Sequence, residues 1–261
     1  MTAAAPAPLD VRLMNFTATV LFLGVAALAL GAGIWWALRH PVFAITGVSV
    51  QGDLGHNNEV TLRANVAPRL VGNFFTVDLA QARAAFESAP WVRKAVVRRV
   101  FPGRLQVALE EHQAVALWGG ESDQRMVNSF GEVFEANTAD IDTDALPRWS
   151  GPQGQAPAML AMAQALEPAF APLDVAVVEL HLSGRGGWRA ELDSGAVVEL
   201  GSGTVADIVP KVQRLAATLP EVAAKYGRRT DALESADLRH AGGYALRLRG
   251  VSTVALETKK K

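Results

Sequence analysis

The residue types that most often do chemistry are present, but their spacing predicts no catalytic site. Glu110 and Glu111 are adjacent on a predicted strand, so their carboxylates point to opposite faces and cannot share one substrate. Neither a G-x-S-x-G nor an S-x-x-K motif occurs, and the absence of cysteine excludes disulfides and thiol chemistry. The histidines have no metal-ligand spacing such as H-E-x-x-H; they are His40, His56, His112, His181 and His240. The residues therefore predict no enzyme, metal or cofactor.

Two segments have a composition that could bind an anion or a nucleic acid. Leu200–Thr204 is glycine-rich and lies between a predicted strand and a predicted helix, but it lacks the lysine of a P-loop, so a plain turn is favoured. A basic stripe has no interleaved aromatics on which single-stranded bases could stack, and the net charge of −1 creates no attractive field for nucleic acid. We interpret this stripe as the solvated face of a hairpin, with a docking surface as the alternative; it consists of Arg93, Lys94, Arg98, Arg99 and Arg104.

An uncharged apolar segment near the start, Phe16–Leu38, constrains every functional interpretation. Its roughly 23 residues are enough to cross a bilayer as a helix. A cleaved signal peptide is the alternative, although its apolar core is typically about 7–15 residues. Trp35 and Trp36 stand where an interfacial aromatic belt would lie, just before Arg39. We predict an uncleaved anchor with these tryptophans at the membrane interface; the similar charges on its two flanks leave its orientation undetermined.

The region after the anchor predicts a unit with the order β-α-α-β-β. Its strands and helices are bounded by turn and capping residues such as Asp78 and Pro102-Gly103. The predicted elements are a strand over Phe43–Val50, a helix capped by Asn57 or Asn58, a helix capped by Asp78, and strands over Trp91–Phe101 and Arg104–Glu110. The apolar residues of this pattern predict a core made of Ile45, Val48, Leu62, Val66, Leu79, Phe86, Trp91, Val97 and Leu105.

The rest of the chain predicts a second, strand-rich unit with two helices, so the fold class is α+β. One helix covers Ala156–Ala171, and the other runs toward Tyr226 with Asp207 as its N-cap, which would place Pro210 in the first turn. The predicted strands are Ala114–Trp118, Met126–Asn128, Val133–Phe134, Val175–Leu182, Trp188–Leu192, Ala196–Leu200, Leu233–Arg239 and Tyr244–Leu248.

The order of short motifs along both units resembles the FtsQ/DivIB family. The first set resembles the family's POTRA domain and comprises Val48–Gly52, Val77–Leu79, Ala89–Val92, Val97–Pro102 and Leu105–Val107. The second set resembles its β domain and comprises Glu110–Trp118, Asn128–Phe134, Leu146-Pro147, Gly151-Pro152, Gly187-Trp188, Val198–Gly201 and Ala236–Gly243. The chain departs from the family pattern at Ser202, His240 and Leu248.

The resemblance implies a non-catalytic bitopic scaffold of bacterial cell division. It implies a cytoplasmic tail at 1–15, a transmembrane helix at 16–38, a POTRA domain at 42–112, a β domain at 113–250 and a C-terminal tail at 251–261. Both domains would lie in the periplasm, with FtsB and FtsL as partners and other divisome membrane proteins meeting the POTRA domain and the span. Two other classes are a POTRA-bearing assembly or secretion factor and a membrane-anchored hydrolase.

The resemblance also implies a partner-binding edge at the end of the chain. Strand alternation places Tyr244, Leu246 and Leu248 on one face, an arrangement that on its own favours a core face. The resemblance implies instead that this edge binds FtsB, with Arg239 meeting an acidic residue and His240 adding packing or a hydrogen bond. The candidate site is Arg239, His240, Gly242, Gly243, Tyr244, Leu246 and Leu248.

Overall fold

The chain folds as two compact units that are divided between Glu111 and His112. The structure is a computed structural model and describes residues 8–52, 54–57, 62, 66–120, 123, 125–240 and 242–251. The observed mixture of helices and sheets confirms the predicted α+β class.

The first unit begins with a long helix, α1 (Leu9–Leu38), which starts seven residues before the predicted apolar segment. None of its residues is buried, and the mean hydropathy of its most apolar part is 2.1. The hydroxyl groups of Thr17 and Thr19 donate to carbonyls of the preceding turn, so neither adds an unsatisfied polar group. By length and composition α1 is a candidate membrane span.

The remainder of this unit is a three-stranded sheet with a helix beside it. The central strand β3 is parallel to β1 and antiparallel to β2. The elements are β1 (Gly47–Gly52), α2 (Leu79–Glu87), β2 (Val92–Val100) and β3 (Arg104–Glu111). The helix predicted from Asn57 or Asn58 falls mostly outside the described residues; Leu62 and Val66 are helical and buried.

Local patterns predicted much of the core of the first unit. The alternation along β3 is confirmed, because Leu105 and Val107 are fully buried. The predicted cap of α2 is also confirmed: the Asp78 carboxylate accepts from two backbone N–H groups at 2.8 and 3.2 Å. On β2 a bulge follows Val92, and Val97 is half-buried and packs against the core as predicted. Ile45, Val48 and Leu79 are half-buried as well.

The second unit is built on one nine-stranded sheet with the order β12-β11-β10-β9-β8-β7-β4-β5-β6. The strands are β4 (Ala114–Trp118), β5 (Arg125–Asn128), β6 (Val133–Glu135), β7 (Arg148–Ser150), β8 (Val177–Leu182), β9 (Gly187–Leu192), β10 (Val197–Ser202), β11 (Leu233–Asp237) and β12 (Ala245–Leu248). Two helices, α3 (Ala156–Phe170) and α4 (Val205–Lys225), pack their apolar faces into the core that the strands share.

The start of α4 corrects the predicted N-cap. Thr204 is the N-cap, and Asp207 is the third residue of the helix, so Pro210 lies inside the helix and not in its first turn. The Asp207 carboxylate accepts from the Thr204 N–H and hydroxyl, each at 2.8 Å. These bonds lower the Asp207 pKa. The Asp207 carboxylate therefore occupies the position at which a phosphate-binding loop would bind its phosphate.

Candidate functional site

The terminal hairpin of the second unit forms one edge of its large sheet. β12 pairs antiparallel with β11, and β11 pairs parallel with β10. Within the described part of the chain, no strand pairs with the outer side of β12. An edge strand presents backbone N–H and C=O groups to which an added strand can bind.

The side chains of this hairpin separate into an inner and an outer set, as the alternation predicted. Leu248 is buried, and Leu246 and Tyr244 are half-buried against the core. The Tyr244 hydroxyl contacts the hydroxyl of Thr218 on α4. These three apolar side chains therefore hold β12 on the sheet, while Ala245 and Arg247 face outward. A strand added to this edge would meet the backbone and the outward residues.

The segment between β11 and β12 carries the polar candidates. His240, Gly242 and Gly243 are exposed. The guanidinium of Arg239 donates from Nε to Asp237 Oδ1 at 2.9 Å and from Nη2 to Oδ2 at 2.6 Å. These bonds hold the pKa of Asp237 at about 2, so the pair stays charged at neutral pH. Asp237 therefore orients the guanidinium, and the Arg239 side chain is 61% exposed and within reach of a partner.

A shallow cationic cleft of about 480 Å³ adjoins this pair. Arg185, Arg189, Lys211 and Arg239 line it, and Glu199 is the carboxylate among its lining residues. Arg189 pairs with Glu199 at 3.6 Å and Arg239 pairs with Asp237, so the cations still outnumber the carboxylates and favour an acidic segment as the ligand. The first three cations were not predicted because they come from the β8–β9 turn, β9 and α4, which only the fold brings together. No local signal in the sequence marks them.

The tryptophans predicted for the membrane interface lie in the last turn of α1. Both are exposed, as lipid-facing residues would be. The Arg39 guanidinium lies over the Trp35 ring at 4.1 Å from its centroid. The rings of Trp36 and His40 meet edge to face at 5.3 Å. This end of α1 combines aromatic and cationic groups, a composition that suits a lipid headgroup region.

Three histidines lie within the folded units and have polar partners there. His56 and Asn57 donate to the buried carboxylate of Glu111, while Glu110 points outward to Arg93. The side-chain amide of Asn128 lies 2.9 Å from His112 Nδ1, and the His112 ring stacks on that of Phe134. His181 Nδ1 lies 2.8 Å from the hydroxyl of Ser150 on the neighbouring strand. Among the described residues no carboxylate bonds to His181, so the Ser–His pair lacks the third group that orients a base.

Comparisons with known proteins match both units. The family model "POTRA domain, FtsQ-type" matches residues 43–112, and the family model "Cell division protein FtsQ/DivIB, C-terminal" matches residues 116–239. Relatives named "Cell division protein FtsQ" include one from Burkholderia pseudomallei, which is 40% identical over 93% of this chain and 94% of its own length. One from Thiomonas arsenitoxydans is 38% identical over 96% of this chain and 93% of its own length. The chain belongs to the FtsQ/DivIB family.

Membership of the FtsQ/DivIB family confirms the resemblance inferred from the ordered motifs. A third FtsQ relative, from Bordetella pertussis, is 37% identical over 92% of both chains. The FtsQ/DivIB C-terminal match ends at Arg239, so β12 lies beyond it. The open edge is therefore an observation of this structure that adds to the family match.

Proposed function

We propose that this chain is a single-pass inner-membrane scaffold of the divisome. In this proposal α1 crosses the membrane with its N-terminus in the cytoplasm, and both units lie in the periplasm. The scaffold links early septal proteins to the FtsB–FtsL pair and, through it, to septal peptidoglycan synthesis. The observation that supports this most is an open strand edge beside a cationic cleft, in an FtsQ/DivIB chain whose described residues include one candidate span.

The β12 edge offers two kinds of recognition to FtsB. A strand of FtsB added to β12 would gain main-chain hydrogen bonds, which supply affinity with little sequence preference. Acidic side chains of FtsB would then meet Arg239 and the other cations of the cleft, and this charge match selects the partner. The POTRA unit and the span remain available for other divisome membrane proteins.

The scaffold in this proposal is non-catalytic and binds no cofactor or nucleic acid. The second candidate is a POTRA-bearing assembly or secretion factor. Such a factor would usually carry several POTRA units or an alternating-strand barrel. The FtsQ/DivIB match over residues 116–239 favours the divisome role, because it covers most of the second unit.

Localisation and topology test this proposal together. A fluorescent protein that matures in the periplasm, fused after Lys261, should be active and concentrated at mid-cell in dividing cells. The mature chain should retain Met1 or Thr2, because α1 is expected to stay as an anchor. A uniform envelope signal would favour the assembly-factor alternative. An inactive reporter, or a chain that begins near Ala32, would contradict the proposed topology.

A further inference from the structure

The folded part of the first unit exposes large apolar side chains close to α1. Val42, Val71 and Phe101 are 76%, 71% and 77% exposed, and Phe75 and Val100 are exposed as well. We call these five residues the apolar rim. Among the described residues from 42 to 111, Val96 is the one exposed large apolar side chain outside the rim. Apolar exposure is thus concentrated at one end of the sheet.

Backbone and side-chain hydrogen bonds fix part of the rim beside the last turn of α1. The side-chain amide of the buried Asn73 donates to the carbonyl of Leu38, the last residue of the helix. The N–H of Phe74 donates to the carbonyl of Phe43 at 2.8 Å. Asn73 Oδ1 also accepts from the Phe75 N–H at 3.0 Å. The segment that carries Phe75 is therefore bound to the helix end.

A ladder of aromatic rings connects the β2–β3 turn to the same place. The centroids of Phe43 and Phe75 are 5.0 Å apart, those of Phe74 and Phe75 are 5.2 Å apart, and those of Phe74 and Phe101 are 6.3 Å apart. Arg99 Nε also donates to the Phe74 carbonyl at 2.7 Å. The rim therefore gathers three segments that are distant in sequence.

We propose that the apolar rim lies in the interfacial layer of the bilayer that α1 crosses, with phospholipid as its occupant. This inference depends on the membrane span of the proposed function. Each interfacial layer is about 5–8 Å thick, and Val42 follows Leu38 by four residues. Valine and phenylalanine side chains in this layer would leave water and lie at the boundary between headgroups and acyl chains. This transfer is favourable because it removes apolar area from water.

The bilayer is favoured over a protein partner because the rim continues the surface of the span. Trp35 and Trp36 end α1, and the rim begins at Val42 without an intervening flexible segment, since Pro41–Phe43 forms a helical turn. Arg39 lies between them and can meet phosphate headgroups. Seating the rim in lipid would hold the first unit in one orientation on the membrane surface.

Depth-dependent quenching in vesicles tests this inference on the full chain. Because the chain has no cysteine, Phe101→Cys, Lys94→Cys and Leu28→Cys each supply a single labelling site for a polarity-sensitive fluorophore. Lys94 is exposed near the other end of β2, about 20 Å from the turn along the strands, and serves as the matched control. Leu28 is an exposed residue within α1 and reports the span.

The vesicles contain phosphatidylethanolamine and phosphatidylglycerol, with brominated lipid as quencher. We expect loss of fluorescence at positions 101 and 28 but not at position 94. Val42→Cys should behave like Phe101→Cys, which guards against local disturbance of the ring ladder. If position 28 is quenched but positions 101 and 42 are as little quenched as position 94, the rim inference is overturned and the span is left intact. No quenching at 28 would overturn the span as well. Quenching at 101 that is weak at a high protein-to-lipid ratio and rises on dilution in lipid would show that a second copy, and not lipid, covers the rim when the chains are close together.

Discussion

Trp91→Ala is expected to destabilise the first unit by about 3–5 kcal/mol. The Trp91 side chain is only 3% exposed, and its ring stacks on that of His56 with centroids 4.0 Å apart. His56 in turn donates to the buried Glu111 carboxylate, so removal of the indole leaves a cavity next to a buried charge. A small domain has roughly 5–15 kcal/mol of total stability, so the loss is a large share.

Hydrogen exchange of the full chain in detergent measures this loss within one molecule. Amides of β2 and β3 should exchange much faster in Trp91→Ala, while those of β9 and β10 in the second unit serve as the internal reference. Trp91→Phe keeps a ring for stacking and should lose less. Under the proposed function, recruitment to the septum should weaken in parallel. Unchanged exchange in β2 and β3 would show that the indole contributes little to this unit.

Arg239→Glu is expected to weaken capture of FtsB–FtsL by the full chain. A charge-assisted hydrogen bond from Arg239 to an acidic partner residue is worth about 1–3 kcal/mol, or roughly a five- to 150-fold change in affinity. Charge reversal also places a carboxylate beside Asp237 and in the cationic cleft. Both effects oppose binding of an acidic segment, so co-purification with FtsB–FtsL should fall strongly.

Arg83→Glu is a closely matched control for this variant. Arg83 lies on α2, is also 61% exposed, and pairs with the carboxylate of Glu87 at 3.1 Å. The Arg83→Glu substitution makes the same change of net charge as Arg239→Glu, but on the first unit. Its capture of FtsB–FtsL should match the unmodified chain, and both variants should keep the unmodified circular dichroism spectrum. Equal capture by Arg239→Glu and Arg83→Glu would place the acidic contact elsewhere.

The parts of the fold that the sequence predicted well are those that local physics determines. The alternation of β3 and the Asp78 cap each depend on residues within a few positions of one another. The start of α4 was misplaced because Thr204 and Asp207 are both good capping residues, and only their mutual hydrogen bonds decide between them. β7 was not predicted because Arg148–Ser150 is too short for a periodic signal, although it lies in the middle of the sheet.

The candidate site shows the same division between local and tertiary information. Alternation predicted that Tyr244, Leu246 and Leu248 share a face and on its own favoured a core face, and the packed sheet shows that they face the core. The Asp237–Arg239 pair is two residues apart, yet its bidentate geometry depends on the turn after β11. The cationic cleft is assembled from distant elements and has no local signature.

Site-specific photo-crosslinking in dividing cells tests most directly whether the β12 edge binds FtsB. A photoreactive amino acid at Arg247 places the probe on the outward face of β12, and one at Glu135 places it on β6, the strand at the opposite edge of the same sheet. We expect a crosslink to FtsB from position 247 and none from position 135. A crosslink from position 135 alone, or none from position 247 while the chain still captures FtsB, would contradict the assignment of the partner-binding edge.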